Sequence, residues 1–173
     1  MTTSVTASDC IGIWRRVLLV DADGVADTST DVVWLQGPTG YVDSRGFAGT
    51  LSQTDDVFCW HRDVDTQPSG APDAGRMRWE AGVLVETGVH EAYEEHWIRD
   101  DGPIEPAGAL FLSAGPQRSA VLVRVGEVVG WASAAGVLIA QASRTQALLS
   151  RDDHIVVDGV CWTVTAREGV TTS

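Results

Sequence analysis

The sequence predicts an all-β protein, an antiparallel meander closed into a barrel of about eight to ten strands. Short segments of alternating apolar and polar residues follow one another along most of the chain, separated by turn signals at fairly regular intervals. Several segments carry tryptophan, tyrosine and charged side chains on one face, which favours a polar-lined interior over a sealed core. No long helical pattern interrupts them, and at most a short helix is expected near residues 141–149.

The strands are predicted from these segments in chain order. They span residues 12–20, 31–36, 41–45, 47–53, 57–62, 76–81, 83–87, 91–99, 107–113, 120–125, 128–133, 155–157 and 161–167. Gly37-Pro38-Thr39-Gly40 and Asp158-Gly159 have the composition of hairpin turns. Residues 63–75 are rich in Asp, Pro and Gly, and a loop of this length is often a rim or lid element. A meander this long closes into a barrel or splits into two packed sheets, and the polar faces favour the barrel.

The chain length of 173 residues allows one domain with one sizeable core. We assign residues 1–11 to an N-terminal tail and residues 12–169 to a single barrel domain. Cys10, Cys59 and Cys161 are odd in number and lack paired spacing, so we expect small buried hydrophobes and no disulfide framework.

The charge of the chain argues against several classes of partner. Its formal net charge is −12, from 24 acidic and 12 basic residues, and no basic run offers a local exception. Nucleic acid and anionic membrane surfaces are therefore disfavoured. The chain has no lysine, which excludes Schiff-base chemistry. No signal peptide or membrane-spanning segment is visible, so the expected location is cytoplasmic. The expected assembly is a monomer or homodimer.

Residues 91–99 carry the most informative pattern. Successive side chains of a strand point to opposite faces, so Tyr93, Glu95, Trp97 and Arg99 share one face. An ordinary half-buried strand does not place an aromatic, an acid, an aromatic and a base in a row. The pattern is typical of the wall of a pocket.

Other predicted strands repeat this combination, at Trp14/Arg16, Trp34/Gln36, Tyr41/Asp43/Arg45 and Trp60/Arg62. The candidate catalytic residues are Glu95, Glu86 and Tyr93. The candidate substrate-binding residues are Trp34, Gln36, Tyr41, Asp43, Arg45, Trp60, Arg62, Trp97 and Arg99.

The acids and arginines among these residues allow two interpretations. They could neutralise one another in a structural network, since charges inside a barrel must be paired or hydrogen-bonded. Alternatively, one carboxylate stays underpaired in an aromatic pocket, has a raised pKa and acts as general acid or base. Glu86 and Glu95 are the preferred carboxylates. Arg62 and Arg99 are then the preferred partners of a substrate carboxylate or an enolate.

No metal or cofactor is predicted. The histidines show no usual zinc spacing, and His61 and His96 fall on the outward faces of their strands. The chain has no G-x-S-x-G elbow, no G-x-G-x-x-G before a helix and no H-E-x-x-H.

The chain also resembles a poorly characterised group of bacterial and fungal lipocalin-like (calycin) β-barrels. The resemblance is carried by Trp14-x-Arg16, Trp34-Leu35-Gln36, Tyr41-Val42-Asp43-x-Arg45, Phe47-Ala48-Gly49, Trp60-x-Arg62-Asp63, Gln67-Pro68, Asp73-x-Gly75, Leu84-Val85-Glu86-x-Gly88-Val89 and Tyr93-x-Glu95-x-Trp97-x-Arg99. It covers about residues 12–99, with a looser match beyond, and Gly46 departs from the pattern of the group. It implies a lipocalin-like barrel and no particular activity.

These observations together predict a barrel that binds a small molecule. The favoured hypothesis is a cofactor-free acid–base enzyme, of isomerase or cyclase type, acting on a partly apolar metabolite. The alternative is a non-catalytic binding or carrier protein whose charges anchor a polar group of the ligand.

Overall fold

The computed structural model describes residues 4–172, which form fifteen β-strands and three short 3-10 helices. The strands are β1 (Gly12–Val20), β2 (Ala26–Asp27), β3 (Val33–Gln36), β4 (Gly40–Asp43), β5 (Phe47–Thr54), β6 (Val57–Asp65), β7 (Ala74–Glu80), β8 (Val83–Gly88), β9 (Glu94–Arg99), β10 (Ala107–Ser113), β11 (Ser119–Val125), β12 (Val128–Ser133), β13 (Gly136–Gln141), β14 (His154–Val157) and β15 (Val160–Gly169). The 3-10 helices span Ala7–Cys10, Ala142–Arg144 and Gln146–Leu148. The last two lie where the sequence predicts a short helix.

Eight antiparallel strands form a closed barrel. Strand β1 pairs with β3, each strand from β3 to β9 pairs with the next, and β9 pairs back with β1. The short strand β2 only extends the edge of β1. The predicted all-β fold, an antiparallel meander closed into a barrel, is confirmed.

A second antiparallel sheet of six strands follows the barrel, in the order β13-β12-β11-β10-β15-β14. The prediction of one barrel did not anticipate it. Because β9 closes onto β1, the barrel leaves no free edge for β10, which pairs with β15 instead. The predicted barrel therefore closes with eight strands, and the rest of the meander forms a separate sheet.

The second sheet packs on the outside of the barrel. Outward-facing Leu35, Val42 and Ala48 of the barrel meet Val121 and Val123 of β11 in one apolar cluster. All five side chains are fully buried. Strands β3 and β4 are thus covered on both faces, because their inward residues line the barrel and their outward residues pack on the sheet.

The opposite face of the second sheet has its own core. Trp131 and Trp162 meet edge to face with ring centroids 5.6 Å apart, together with Leu110, Leu122 and Ile155. The closing hairpin turns at Asp158-Gly159, whose φ values of 49° and 77° suit the predicted Asp-Gly turn.

The segment assigned to an N-terminal tail covers one end of the barrel. Residues 1–3 lie outside the described part of the chain. Val5 and Cys10 are buried in the barrel core, and Cys10 O accepts a 2.7 Å hydrogen bond from Trp14 Nε1. The side chain of Gln53 bonds to the backbone of Ala7 and Val5 at 2.8 and 3.1 Å. We call this the closed end. No helix within residues 4–172 has the length and apolar content needed to cross a membrane.

Glu168 joins the second sheet to the barrel and allows a test of their packing. Its carboxylate accepts hydrogen bonds from the backbone N–H groups of Thr39 and Gly40, at 2.9 and 2.6 Å, and from the Thr39 hydroxyl. We expect Glu168→Ala to lower the free energy of unfolding by about 2 kcal/mol, because it strips the acceptors from these donors. Urea denaturation measures the loss, and Glu168→Gln, which keeps an acceptor, should retain most of the stability.

Candidate functional site

A cavity of about 250 Å³ occupies the barrel interior at the end opposite the N-terminal segment. The connections around this end are the β1–β3 connection, which contains β2, the β4–β5 turn, the β6–β7 loop and the β8–β9 loop. The lining residues are Arg16, Leu19, Trp34, Tyr41, Asp43, Arg45, Phe47, Trp60, Arg62, Asp73, Glu86, Glu91, Tyr93, Glu95 and Trp97. The combination of aromatic and charged side chains is the one that the strand patterns predict.

Tryptophans separate the cavity from the apolar core near the closed end. Trp34, Trp60 and Trp97 line the cavity, and Trp34 meets the other two edge to face with ring centroids 5.8 and 5.6 Å apart. Trp34 also stacks on the fully buried Trp14 at 5.7 Å. Such contacts favour a rigid wall. The half of the barrel next to the closed end is therefore filled by side chains, and the opposite half holds an open, polar cavity.

Glu95 is the centre of one ion-pair network in the cavity. Its Oε1 accepts hydrogen bonds from Arg16 Nη1 and, at 3.3 Å, from Arg45 Nη1. Arg45 also grips Asp43 through Nη2 at 2.8 Å and Nε at 3.0 Å. These carboxylates raise the pKa of Arg45, against the effect of its burial. The network matches the structural interpretation of the charges.

Arg62 is the centre of a second network at the rim. It donates to Asp73 at 2.7 Å and to Asp65 at 3.2 Å. Its guanidinium also lies over the Phe47 ring, 3.5 Å from the centroid. Burial opposes the charge of Arg62, but its bonds to the two aspartates raise its pKa overall.

Glu86 differs from the other buried acids because it forms no ion pair within residues 4–172. Its Oε1 accepts a 2.7 Å hydrogen bond from the Tyr93 hydroxyl. Burial raises the pKa of Glu86 to about 8, and the charges of Glu95 and Asp73 add to this effect. The Tyr93 hydrogen bond and Arg45 act in the opposite direction. Glu86 thus fits the description of an underpaired carboxyl in an aromatic pocket.

Neighbouring strands fix the position of Glu86. It lies directly opposite Glu95 in the β8–β9 register, so two acids face each other across the ladder. On the other side, a Cβ atom at Gly75 of β7 would lie 2.7 Å from Glu86 Cγ. A glycine is needed at this position because any larger residue would displace the carboxyl.

The tyrosines of the site are protonated. Burial raises the pKa of Tyr93, and the charge of Glu86 raises it further. Burial likewise raises the pKa of Tyr41, whose hydroxyl donates to the backbone carbonyl of His61 at 3.3 Å. Both hydroxyls therefore act as hydrogen-bond donors.

Ten of the twelve predicted site residues line the cavity. They are Glu86, Tyr93, Glu95, Trp34, Tyr41, Asp43, Arg45, Trp60, Arg62 and Trp97. Their convergence follows from the alternation of side chains in neighbouring antiparallel strands.

Gln36 and Arg99 do not line the cavity. Gln36 ends β3 at the closed end, fully buried, where its Nε2 donates to Gly37 O at 3.0 Å. Arg99 ends β9 at the same end, exposed, with its guanidinium over the Trp14 ring. Alternation gives the correct side of a strand, but it does not say how far along the barrel a residue lies. The predicted role of Arg99 as an anion partner in the pocket therefore needs correction.

Five lining residues were not among the predicted site residues: Arg16, Leu19, Phe47, Asp73 and Glu91. Arg16 shows the same pattern as its predicted counterparts, in the pair Trp14/Arg16, so a signal was present. Glu91 continues the alternation of Tyr93 and Glu95 in the predicted strand 91–99, so a signal was present for it too, although it lies in the β8–β9 loop. Asp73 lies in the β6–β7 loop, where no periodicity exists to find it.

The histidines stay outside the cavity lining. His61 is exposed and bonds to Ser52 Oγ at 2.8 Å, and His96 bonds to Glu94 at 2.7 Å. Across residues 4–172 no group of three His, Cys, Asp or Glu side chains is placed to hold a metal ion.

The fold and the site define an all-β barrel whose interior could bind a small molecule. A solved structure similar to it is that of the uncharacterized protein YLR301w from Saccharomyces cerevisiae, with a TM-score of 0.56. The match has 11% sequence identity and covers 91% of this chain and 98% of that chain. Its low identity shows a shared fold alone. No family model and no curated protein matches the chain.

Proposed function

We propose that this protein binds a partly apolar metabolite in the barrel cavity and acts on it by acid–base chemistry without a cofactor. The observation that carries the proposal is the Glu86–Tyr93 pair, a carboxyl in a solvent-open cavity with a hydroxyl and no cation as its direct partner. The remaining buried acids, Asp43 and Glu95, are held by arginines.

The proposed chemistry uses Glu86 as the acid. With a pKa near 8 it is mostly protonated at neutral pH, and Tyr93 occupies one of its oxygens. The other oxygen can donate a proton to a substrate in the cavity. The resulting carboxylate is stabilised by the Tyr93 hydroxyl and then takes a proton from another substrate atom. No proton is gained or lost overall, which suits an isomerisation or a cyclisation.

The surrounding residues have supporting roles in this proposal. Trp34, Trp60 and Trp97 provide the apolar wall that holds the substrate. Glu95 keeps Arg16 and Arg45 in place, so we assign it to positioning and not to proton transfer.

A second candidate is a binding or carrier protein without catalysis. The observation that favours it is the pairing of every arginine that lines the cavity, Arg16, Arg45 and Arg62, with carboxylates. None is left to stabilise an anion that develops during a reaction.

The experiment incubates the protein with a small-molecule extract of its own cells and follows the extract by liquid chromatography coupled to mass spectrometry, which separates isomers of equal mass. An enzyme converts a compound into an isomer of equal mass, whereas a carrier retains a compound unchanged. If no compound is converted or retained, the proposed function is wrong.

Tyr93→Phe tests the pair within this assay. We expect turnover to fall about tenfold, because the carboxylate formed by proton donation loses a hydrogen bond. The alkaline limb of the pH–rate profile should move to higher pH, since the Tyr93 bond lowers the pKa of Glu86. Thr165→Val removes a hydroxyl that bonds to Phe111 O on the second sheet and is the control. An unchanged profile would contradict the role of Tyr93.

We also propose that the barrel belongs to the lipocalin-like group that its sequence resembles, and that the protein is cytoplasmic. The sequential order of the barrel strands supports the first statement, since barrels of that group are meanders.

A further inference from the structure

The charges that line the cavity do not balance. The lining contains three arginines, Arg16, Arg45 and Arg62, and five acids, Asp43, Asp73, Glu86, Glu91 and Glu95. Asp65 adds a further carboxylate behind Arg62. The lining is therefore acidic even when Glu86 is protonated.

The arginines cannot offset this balance for a ligand. Each already binds at least one carboxylate, and Arg45 and Arg62 each bind two. Among the described residues, Glu86 and Glu91 form no ion pair. A carboxylate or phosphate entering the cavity would have to displace an acid from its arginine, whereas a cation meets unpaired acids directly.

Aromatic rings cover much of the remaining wall. They belong to Trp34, Tyr41, Phe47, Trp60, Tyr93 and Trp97. The faces of such rings attract cations, and acids close to aromatic walls are a known means of holding organic ammonium groups. The Phe47 ring already holds the Arg62 guanidinium, which shows the same interaction within the protein.

Three residues that line the cavity contain donors without a hydrogen-bond partner within residues 4–172. In the described part of the chain, Trp97 Nε1, Arg16 Nε and Arg62 Nε are buried without a hydrogen-bond partner, and all three residues line the cavity. Trp97 is only 2% exposed. An oxygen atom on the ligand would satisfy one of these donors.

We propose that the ligand of this cavity is a small organic cation, an ammonium ion that also carries an oxygen acceptor. Its positive group would lie near Glu86 among the aromatic rings, and its oxygen near Trp97. The inference rests on the proposed function, because it names the ligand class of the same site. A cavity of about 250 Å³ is below the usual range of drug-sized pockets, so the ligand is a small metabolite.

The test uses three probes of one shape and different charge. They are choline, the neutral alcohol in which a quaternary carbon replaces its nitrogen, and the carboxylate with the carbon skeleton of that alcohol. Binding is measured by calorimetry, and the indole N–H resonance of Trp97 in heteronuclear NMR shows whether a probe enters the cavity. We expect choline to bind at least about tenfold more tightly than the alcohol, and the carboxylate not to bind.

Proton release gives a second readout. The groups facing Glu86 are Tyr93 from the β8–β9 loop, Glu95 from β9, Asp73 from the β6–β7 loop and Arg45 from the β4–β5 turn. A bound cation lowers the pKa of Glu86 part of the way towards its ordinary value, so choline binding at neutral pH should release a fraction of a proton per ligand, and the Glu86 that stays protonated can still act as the acid. The affinity for choline should rise from about pH 6 to about pH 9. Choline itself does not titrate in this range.

Variants assign the effect to the site. Glu86→Gln should remove the proton release and most of the preference for choline. Glu105→Gln, at an exposed position outside the cavity, should change neither. If the alcohol or the carboxylate shifts the Trp97 resonance and binds as tightly as choline, the cation proposal is wrong while the binding function stands. If no probe binds, a cationic compound retained from the cell extract supports the proposal, and a neutral or anionic one contradicts it. Retention of nothing overturns both.

Discussion

Replacing Glu86 by glutamine is expected to lower turnover by about 10²- to 10⁴-fold while leaving the fold intact, since this is the usual contribution of a general acid. Glutamine keeps the shape of the side chain and an oxygen that can accept the Tyr93 hydrogen bond. It cannot deliver a proton. The substitution therefore removes the chemistry and preserves the wall of the cavity.

The same substitution is expected to stabilise the protein at alkaline pH. The folded-state pKa of Glu86, about 8, lies above its ordinary value of 4.5. Between these values the folded protein holds a proton that the unfolded chain has lost, so stability falls as pH rises through this window. Glu86→Gln removes that dependence. We expect the variant to be more stable than the unaltered protein above pH 8 by roughly 2 kcal/mol or more.

Urea denaturation across this pH window measures the effect as the difference between the two proteins. The difference should be small near pH 5 and grow towards about pH 9. Glu105→Gln provides the control, because Glu105 is exposed and forms no ion pair within the described residues. A variant that is less stable than the unaltered protein at alkaline pH would show that Glu86 is stabilised as a carboxylate and would remove the basis of the acid role.

Glu95→Gln is expected to have the opposite effect on stability. Glu95 faces Glu86 across the ladder, yet its carboxylate binds both Arg16 and Arg45. Neutralising it leaves the Arg16 guanidinium, whose side chain is only 9% exposed, without its carboxylate partner. Removing one member of a buried pair typically costs about 3–5 kcal/mol, and we expect a loss of about 3 kcal/mol.

The comparison between the two variants is informative because the chemical change is identical. Denaturation at pH 7 should show a clear loss for Glu95→Gln and no loss for Glu86→Gln. In the double variant Glu95→Gln with Arg16→Met, part of the loss should be recovered, since no isolated charge then remains at Arg16. Equal losses for Glu86→Gln and Glu95→Gln would mean that both acids belong to one structural network.

Much of the barrel could be predicted from the sequence because alternation is a local property. Trp97 and Glu95 point inward for the same reason that His96 points away from the cavity, and no knowledge of distant residues is needed. Asp73 has no such periodicity, and Glu91 continues the alternation of Tyr93 and Glu95 but lies in a loop, outside the strand. Their place at the rim depends on how the β6–β7 and β8–β9 connections fold over the open end.

The limits of the strand patterns appear at the ends of the barrel. Gln36 and Arg99 lie on the predicted faces of their strands, but they lie at the closed end of the barrel and not beside the cavity. The position of a residue along the barrel axis, relative to the cavity, depends on the register between strands and on which end of the barrel is closed. The N-terminal segment decides the latter through Val5 and Cys10, which enter the core from outside the barrel strands.

The sequence by itself determined the all-β class, the antiparallel meander and the inward faces, because these follow from side-chain alternation and turn composition along the chain. Only the tertiary structure decided where the meander closes, that β10–β15 form a second sheet, and which acids find arginines. These outcomes depend on pairings between distant segments. Glu86 and Glu95 show this most clearly: both are inward-facing glutamates in the sequence, but Glu95 pairs with Arg16 and Arg45, whereas Glu86 is buried with the Tyr93 hydroxyl and no ion pair within the described residues, and their proposed roles therefore differ.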